Sequence, residues 1–191
     1  MNDPTEPGGN SDVDTLIENL ASEDHLIRHE ARRGLARIGT KIVPRLQELL
    51  RSPSERVRWE ATKVLGAIGG RPALEALATA LPDSSHDVRW TAVEGLIEGR
   101  EVAYHPVLHQ LVVHSSNIGV REAGSHILSH AVREGQASFL KPVLRALRGR
   151  APVFEVSLAA YQALTMYHRA QARLDTAALR KPSPNPVEKT R

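Results

Sequence analysis

The sequence contains no cysteine. That absence excludes a disulfide framework, thiolate zinc and iron–sulfur sites, a thiol nucleophile and a Cys-linked chromophore. Aromatic side chains are scarce, with two Trp, two Phe and three Tyr in 191 residues, so a core must be built from aliphatic side chains. No apolar run approaches the ~18 residues that read as a membrane span, and the N-terminal MNDPTEPGGNSD lacks the basic and apolar leader of a standard export signal, so a cytoplasmic location is expected. Glycine (13) and proline (12) are too few for a fibrous or disordered chain, and 41% hydrophobic with 25% charged residues fits one folded unit. The net charge of +3 is unevenly spread: residues 1–24 carry seven acidic and no basic side chains, and residues 25–58 carry nine basic and three acidic ones. Such a dipolar chain differs from a uniformly basic nucleic-acid binder.

Laid against itself, the chain repeats. The segments IRHEARRGL from Ile27, VRWEATKVL from Val57, VRWTAVEGL from Val88, VREAGSHIL from Val120 and VSLAAYQAL from Val156 align without a gap. Down the columns run Ile27, Val57, Val88, Val120, Val156, then Ala31, Ala61, Ala92, Gly124, Ala160, then Leu35, Leu65, Leu96, Leu128, Leu164. Positions spaced by four lie on one helix face, and the small middle residue allows another helix to approach closely. Before each copy except the first stands a shorter motif, PRLQEL from Pro44, PALEAL from Pro72, PVLHQL from Pro106 and PVLRAL from Pro142. Proline is tolerated in the first helical turn, so the motif opens a helix and each unit reads as two helices. Asp24, Ser54, Ser85 and Asn117 stand three residues before the column residue, where a side chain accepts from a first-turn N–H. Gly39, Gly69 with Gly70, Gly99 and Gly135 are expected to close the second helices.

Helix pairs reading P-x-L-x-x-L, a polar turn and V-R-x-x-A-x-x-x-L resemble HEAT repeats, specifically the short type named after phycobilisome (PBS) lyases. The resemblance covers roughly residues 12 to 167 and implies an all-α, right-handed α-solenoid of the armadillo/HEAT type. The expected organisation is five helix pairs, first helices outside and second helices lining the concave side. A tail of residues 1–11 precedes a repeat domain of 12–180, with repeats at about 12–39, 40–70, 71–100, 101–135 and 136–170 and then a capping segment; a tail of 181–191 follows. Both tails are expected to be disordered. Phe154, Leu158, Tyr161, Met166 and Tyr167 lie outside the repeated stripe. The helix or a following one, with Ala170, Leu174, Ala177 and Ala178 at helical spacing, is therefore expected to run to about Arg180 and fold against that surface, a second copy being the alternative cover, so that deleting 169–191 would lower solubility or stability.

Three enzyme or cofactor readings were weighed on residue identity. IRHEARRGLARIG resembles the His-Glu repeats of deoxyhypusine hydroxylase, a di-iron enzyme, but the positions matching His29 and Glu30 are Trp59 and Glu60, Trp90 and Thr91, and Glu122 and Ala123, which leaves one doublet. The HEAT-like alkylpurine DNA glycosylases are similar in helical layering, yet no aspartate stands on a Trp-bearing second helix, since Trp59 is followed by Lys63 and Trp90 by Glu94. His105 with His109 and His126 with His130 have metal-binding spacing, but the pairs sit on different helices of the fourth repeat with no carboxylate beside either. No catalytic residue, cofactor or metal is assigned.

The remaining reading is a non-catalytic scaffold or adaptor that binds a protein partner. A nucleic-acid-binding HEAT-like protein and a chromophore-lyase-like chaperone subunit are the alternatives. No membrane partner is expected, and the chain is taken as a monomer, with a homodimer through its C-terminal end as the other possibility. The column Arg28, Arg58, Arg89, Arg121 is read chiefly as a structural ladder and secondarily as a phosphate-tracking stripe. Trp59 and Trp90 fall two residues after the column valine, 200° around the helix and opposite the core stripe. They are balanced between partner contact and inter-repeat packing. The candidate partner-binding face comprises His29, Arg32, Arg33, Trp59, Lys63, Trp90, Val93, Glu94, Ile97 and His126, because Trp and Arg together dominate binding hot spots.

Overall fold

The computed structural model describes residues 10–135, 137–149 and 151–179. The expected tails lie outside them, apart from Asn10 and Ser11, which open the first helix. Ten α-helices occur among the described residues: α1 (Asn10–Asn19), α2 (His25–Ile38), α3 (Val43–Leu49), α4 (Glu55–Ile68), α5 (Gly70–Ala78), α6 (His86–Glu98), α7 (Glu101–Val113), α8 (Ile118–Arg133), α9 (Lys141–Leu147) and α10 (Pro152–Leu179). Two 3-10 turns, Gly39–Ile42 and Ser138–Leu140, lead into α3 and α9, and no strand occurs among these residues. The chain is an α-solenoid.

The repeated stripe is the core, except at its first two column positions, where Ile27 is 42% exposed and Val57 half-buried because the stack ends there. Ala31 and Leu35, Ala61 and Leu65, Val88, Ala92 and Leu96, Val120 and Leu128, and Val156, Ala160 and Leu164 are all buried. They meet Leu46, Leu74, Leu77, Leu108, Leu111 and Leu144 from the proline motifs. Each fully buried aliphatic side chain contributes roughly 1.5–3 kcal/mol, so this stripe supplies what the missing aromatics would have. The small residues serve close approach: a Cβ on Gly95 would lie 3.2 Å from the Cα of Gly66 and 2.7 Å from Leu77 Cδ2. All four expected caps form. Asp24 accepts from Leu26 N at 2.8 Å, Ser54 from Val57 N at 3.5 Å, Ser85 from Val88 N at 3.4 Å and Asn117 from Val120 N at 3.1 Å.

Two local expectations are corrected. Gly99 closes α6 as expected, its N–H donating to Gly95 O, but it stays right-handed, and the left-handed conformation that Gly39, Gly69, Gly70 and Gly135 adopt falls here on Arg100, with φ 49°. Gly99 is required for packing instead, since a Cβ there would meet Leu74 Cδ1 at 2.6 Å. Pro106 stands inside α7 and is buried, because Glu101 to His105 already form helix before it. Its missing N–H leaves the helix one internal bond short at that turn.

The second helices pack in sequence, α2 on α4, α4 on α6 and α6 on α8, while α3 packs on α5 and α5 on α7. The fifth pair breaks this order. Helix α10 packs along α7, and α9 lies beside α8, so the two helices exchange layers. Ser157 Oγ donates to the Val112 carbonyl at 3.2 Å, and the rings of Tyr167 and His168 stand 6.1 and 5.1 Å from that of His105. The stripe of Val156, Ala160 and Leu164 is buried as expected, but Leu158 does not join the second-helix column. Nor does the chain fold back. Helix α10 runs straight through to Leu179, leaving Phe154 81% exposed, with Leu158, Tyr161, Met166 and Leu174 exposed as well. Continuing the helix satisfies every backbone group without a turn, and no Gly or Pro interrupts it between Val153 and Leu179 to allow one.

Candidate functional site

The arginine column forms a ladder built on one rule. Each arginine reaches back six residues, so that its Nη1 donates to a carbonyl in the turn before its own helix: Arg28 to Ser22 O at 2.8 Å, Arg58 to Ser52 O at 3.0 Å, Arg89 to Asp83 O at 2.9 Å and Arg121 to Ser115 O at 2.6 Å. These carbonyls follow the first helices, where the chain leaves helical geometry and acceptors would otherwise lack partners. The first two rungs also cross to the next repeat. Arg28 Nε donates to Glu60 Oε1 at 2.9 Å, and Arg58 grips both oxygens of Asp83 at 2.8 and 3.0 Å. Arg32 Nη1 takes the other oxygen of Glu60 at 2.5 Å. Glu60 is fully buried, and Asp83 nearly so. Burial pushes the Asp83 carboxyl up, but hydrogen bonds from Arg58 and from the Ser85 N–H outweigh it and hold the pKa below the usual aspartate value.

The sequence did not single out Glu60 and Asp83. Asp83 stands as an acid where the parallel positions read Ser22, Ser52 and Ser115, whereas the Glu60 column already holds an acid at Glu30 before Thr91 and Ala123.

Of the candidate face, α2 supplies His29, half-exposed, and Arg33, which pairs with Glu30 at 3.3 Å. Arg32 is committed to Glu60 and does not stand free. On α4, Trp59 is half-buried against the core, and Lys63 lays its Nζ 3.9 Å from the ring centroid. Burial lowers the Lys63 pKa, and the nearby Arg32 charge adds to it. Val93 departs from expectation, being only 3% exposed, and Ile97 is half-buried on the core. Helices α4 and α6 are flanked on both sides, so their buried arc is wider than the stripe facing the first helices.

Trp90 behaves differently from Trp59 at the same column position. It is 44% exposed, its Nε1 donates to Glu94 Oε1 at 3.1 Å, and its ring stacks on His86 at 6.3 Å and tilts against His126 of the next repeat at 5.2 Å. Beside it opens a cleft of about 240 Å³ between α6 and α8, walled by Arg89, Glu122 and His126 with Val93 and Ala123 at its floor. A second cleft of about 180 Å³, among α6, α7 and α8, is lined by Ile97, Tyr104, Ile127 and His130. The structure thus gathers Trp90, Glu94, Val93 and His126 at one place and sets His29, Arg33, Trp59 and Lys63 further along the layer. His105 is half-buried beside α10, and burial, with His168 next, lowers its pKa. No group of three His, Asp or Glu side chains suited to a metal ion occurs among the described residues.

Two layers of stacked helix pairs, tied by an arginine ladder, define a helical-repeat scaffold whose second helices present a broad face. Residues 13–97 match the family model for HEAT repeats. Among solved structures the chain is similar to an engineered protein at 20% identity, covering 82% of this chain and 80% of that one with a TM-score of 0.37. A second engineered protein gives 20% identity, coverage of 83% and 86%, and a TM-score of 0.35. A designed armadillo repeat protein in complex with the peptide (KR)4 gives 18% identity, coverage of 83% and 87%, and a TM-score of 0.32. No curated protein matches the chain. No helix among the described residues is long and apolar enough to cross a membrane.

Proposed function

We propose that this protein is a non-catalytic adaptor that holds a partner protein against its second-helix face, with the α6–α8 cleft at Trp90 as the anchor point. The repeats read as the short phycobilisome-lyase type on their V-R-x-x-A-x-x-x-L pattern, and the adaptor is taken as cytoplasmic, monomeric and free of cofactor. One observation carries the reading. Trp90 keeps nearly half its surface in water beside a cleft with an apolar floor, whereas Trp59 at the equivalent position is packed down. A large rigid ring, half-exposed and flanked by charged side chains, is the residue type that dominates interface energetics. The test compares Trp59→Ala and Trp90→Ala for partner capture, identified by mass spectrometry, and for melting. Trp90→Ala is expected to abolish capture of a stoichiometric partner while destabilising by less than about 1 kcal/mol. Retained capture, or a loss of several kcal/mol, would assign Trp90 to the stack.

A further inference from the structure

We propose that the groove between α8 and α9 binds an acidic segment of a partner protein, its carboxylates set against Arg133, Lys141, Arg145 and Arg148. These four cations line a groove of about 790 Å³ with no acid among its lining residues; the carboxylate of Glu155 lies against Gly149 at one end. Among the described residues none of the four is held in an ion pair. The arginine ion pairs of the described residues hold cations of the first two repeats: Arg28 and Arg32 on Glu60, Arg33 on Glu30, Arg58 on Asp83, Arg45 on Asp14 and Arg56 on Glu23. Helix dipoles account for part of the cluster, since Arg133 and Arg145 stand in the last turns of α8 and α9. They do not account for Lys141. It stands in the first turn of α9, directly after the Ser138–Leu140 turn, exposed and with no ion-pair partner among the described residues.

The groove's remaining lining selects the occupant. Val132 and Leu144 sit between the cations, giving an apolar floor, and no aromatic ring lines the groove on which a nucleobase would stack. Carboxylates flanking an apolar side chain, as in an acidic peptide, match that alternation, and recognition of acidic motifs by arginine clusters is a recurring mode. The layer exchange places α9 beside α8, so the groove adjoins the face that carries Trp90. The inference rests on the adaptor reading and deepens it by naming the chemistry of the partner.

The probe is a fluorescein-labelled peptide, Glu-Glu-Leu-Glu-Glu-Leu-Glu-Glu, titrated by fluorescence anisotropy at low salt against the full chain. An eight-nucleotide labelled oligothymidylate is run in parallel. Arg145→Glu with Arg148→Glu is expected to weaken peptide binding by about tenfold or more, and Lys141→Gln by about threefold. Trp90→Ala is expected to leave it within about twofold, so the groove and the Trp90 anchor fail separately. Circular dichroism checks the fold of the double variant, and Lys141→Gln, a single exposed change, carries the test if that variant unfolds. Absence of peptide binding, or binding that survives both changes, overturns the proposal. Oligothymidylate binding that exceeds the peptide's and is lost in the variants overturns it in favour of a phosphate-backbone site.

Discussion

Replacing Glu60 by alanine removes the one acceptor that ties two arginines of the first repeat to the second. The carboxylate is fully buried and takes Arg28 Nε at 2.9 Å and Arg32 Nη1 at 2.5 Å. Breaking a buried ion pair by deleting one partner costs about 3–5 kcal/mol, because the other charge is left without compensation. Here the arginine side chains are 17% and 21% exposed, and Arg28 keeps its bonds to Ser22 O and Glu23 O. Some charge is therefore recovered by water and backbone, which sets the expected loss near the lower end, about 3 kcal/mol. For a chain of this size that corresponds to a fall in Tm of roughly 6–12 °C. Stability in a repeat stack is a sum of unit and neighbour contributions, so the damage should be local: α1 and α2 should fray before the rest. Hydrogen exchange read by mass spectrometry should show faster exchange over residues 10–38 with little change beyond α6. Glu60→Gln keeps one acceptor oxygen and should cost only about 1–2 kcal/mol. A Glu60→Ala protein that melts within about 1 kcal/mol of the parent, with unchanged exchange in α2, would show that the acid does not hold the first pair in place.

Gly95→Ala should destabilise by about 1–3 kcal/mol in a melting experiment, since its Cβ would press on Gly66 and Leu77 where α4 meets α6. The Asp83 pKa is depressed in the folded chain, so its ion pair contributes stability above the unfolded value of 3.8 and loses it as pH falls through the lower folded value. Asp83→Asn should thus be less stable than the parent at neutral pH, and the gap should close in acid; a gap constant down to pH 3 would contradict the pairing. Deleting 169–191 should leave the melting curve within about 0.5 kcal/mol, because the side chains of residues 169–176 are exposed, whereas deleting 159–191 should remove Ala160, Ala163 and Leu164 from the core and unfold the C-terminal end.

The fold was legible because a repeat states its own period. Five copies of one stripe, four caps at one offset and four prolines announce ten helices without any single segment being decisive. The fifth pair was misread for a reason contained in the same logic. A stripe says which residues are buried and not against what, so Val156, Ala160 and Leu164 were placed in the core while their neighbour, α7 in place of α8, stayed hidden. The face opposite the stripe was harder. Angular position treats a helix as having one buried side, but Trp59 and Val93 sit on helices clasped from both flanks, and Trp90 escapes because α6 and α8 part into clefts. Asp83 is the one acid in its column, and Glu60 shares its column with the exposed Glu30, so periodicity had no means of raising either above ordinary surface acids.

The exchange of layers by α9 and α10 also bears on how such a chain lengthens. A solenoid gains length when a unit is duplicated and the copy docks on the surface its parent offered. The α10 stripe is buried against α7 and α9, while the other side of that helix keeps Phe154, Leu158, Tyr161, Met166 and Leu174 exposed, so the surface at this end differs from the one α8 would offer. A duplicated standard pair finds its own kind of surface among the units from α1 to α8, where each second helix packs on its like. A whole unit inserted among α1 to α8 would meet the kind of surface its parent met, whereas a unit docking after α10 would have to fit a different one.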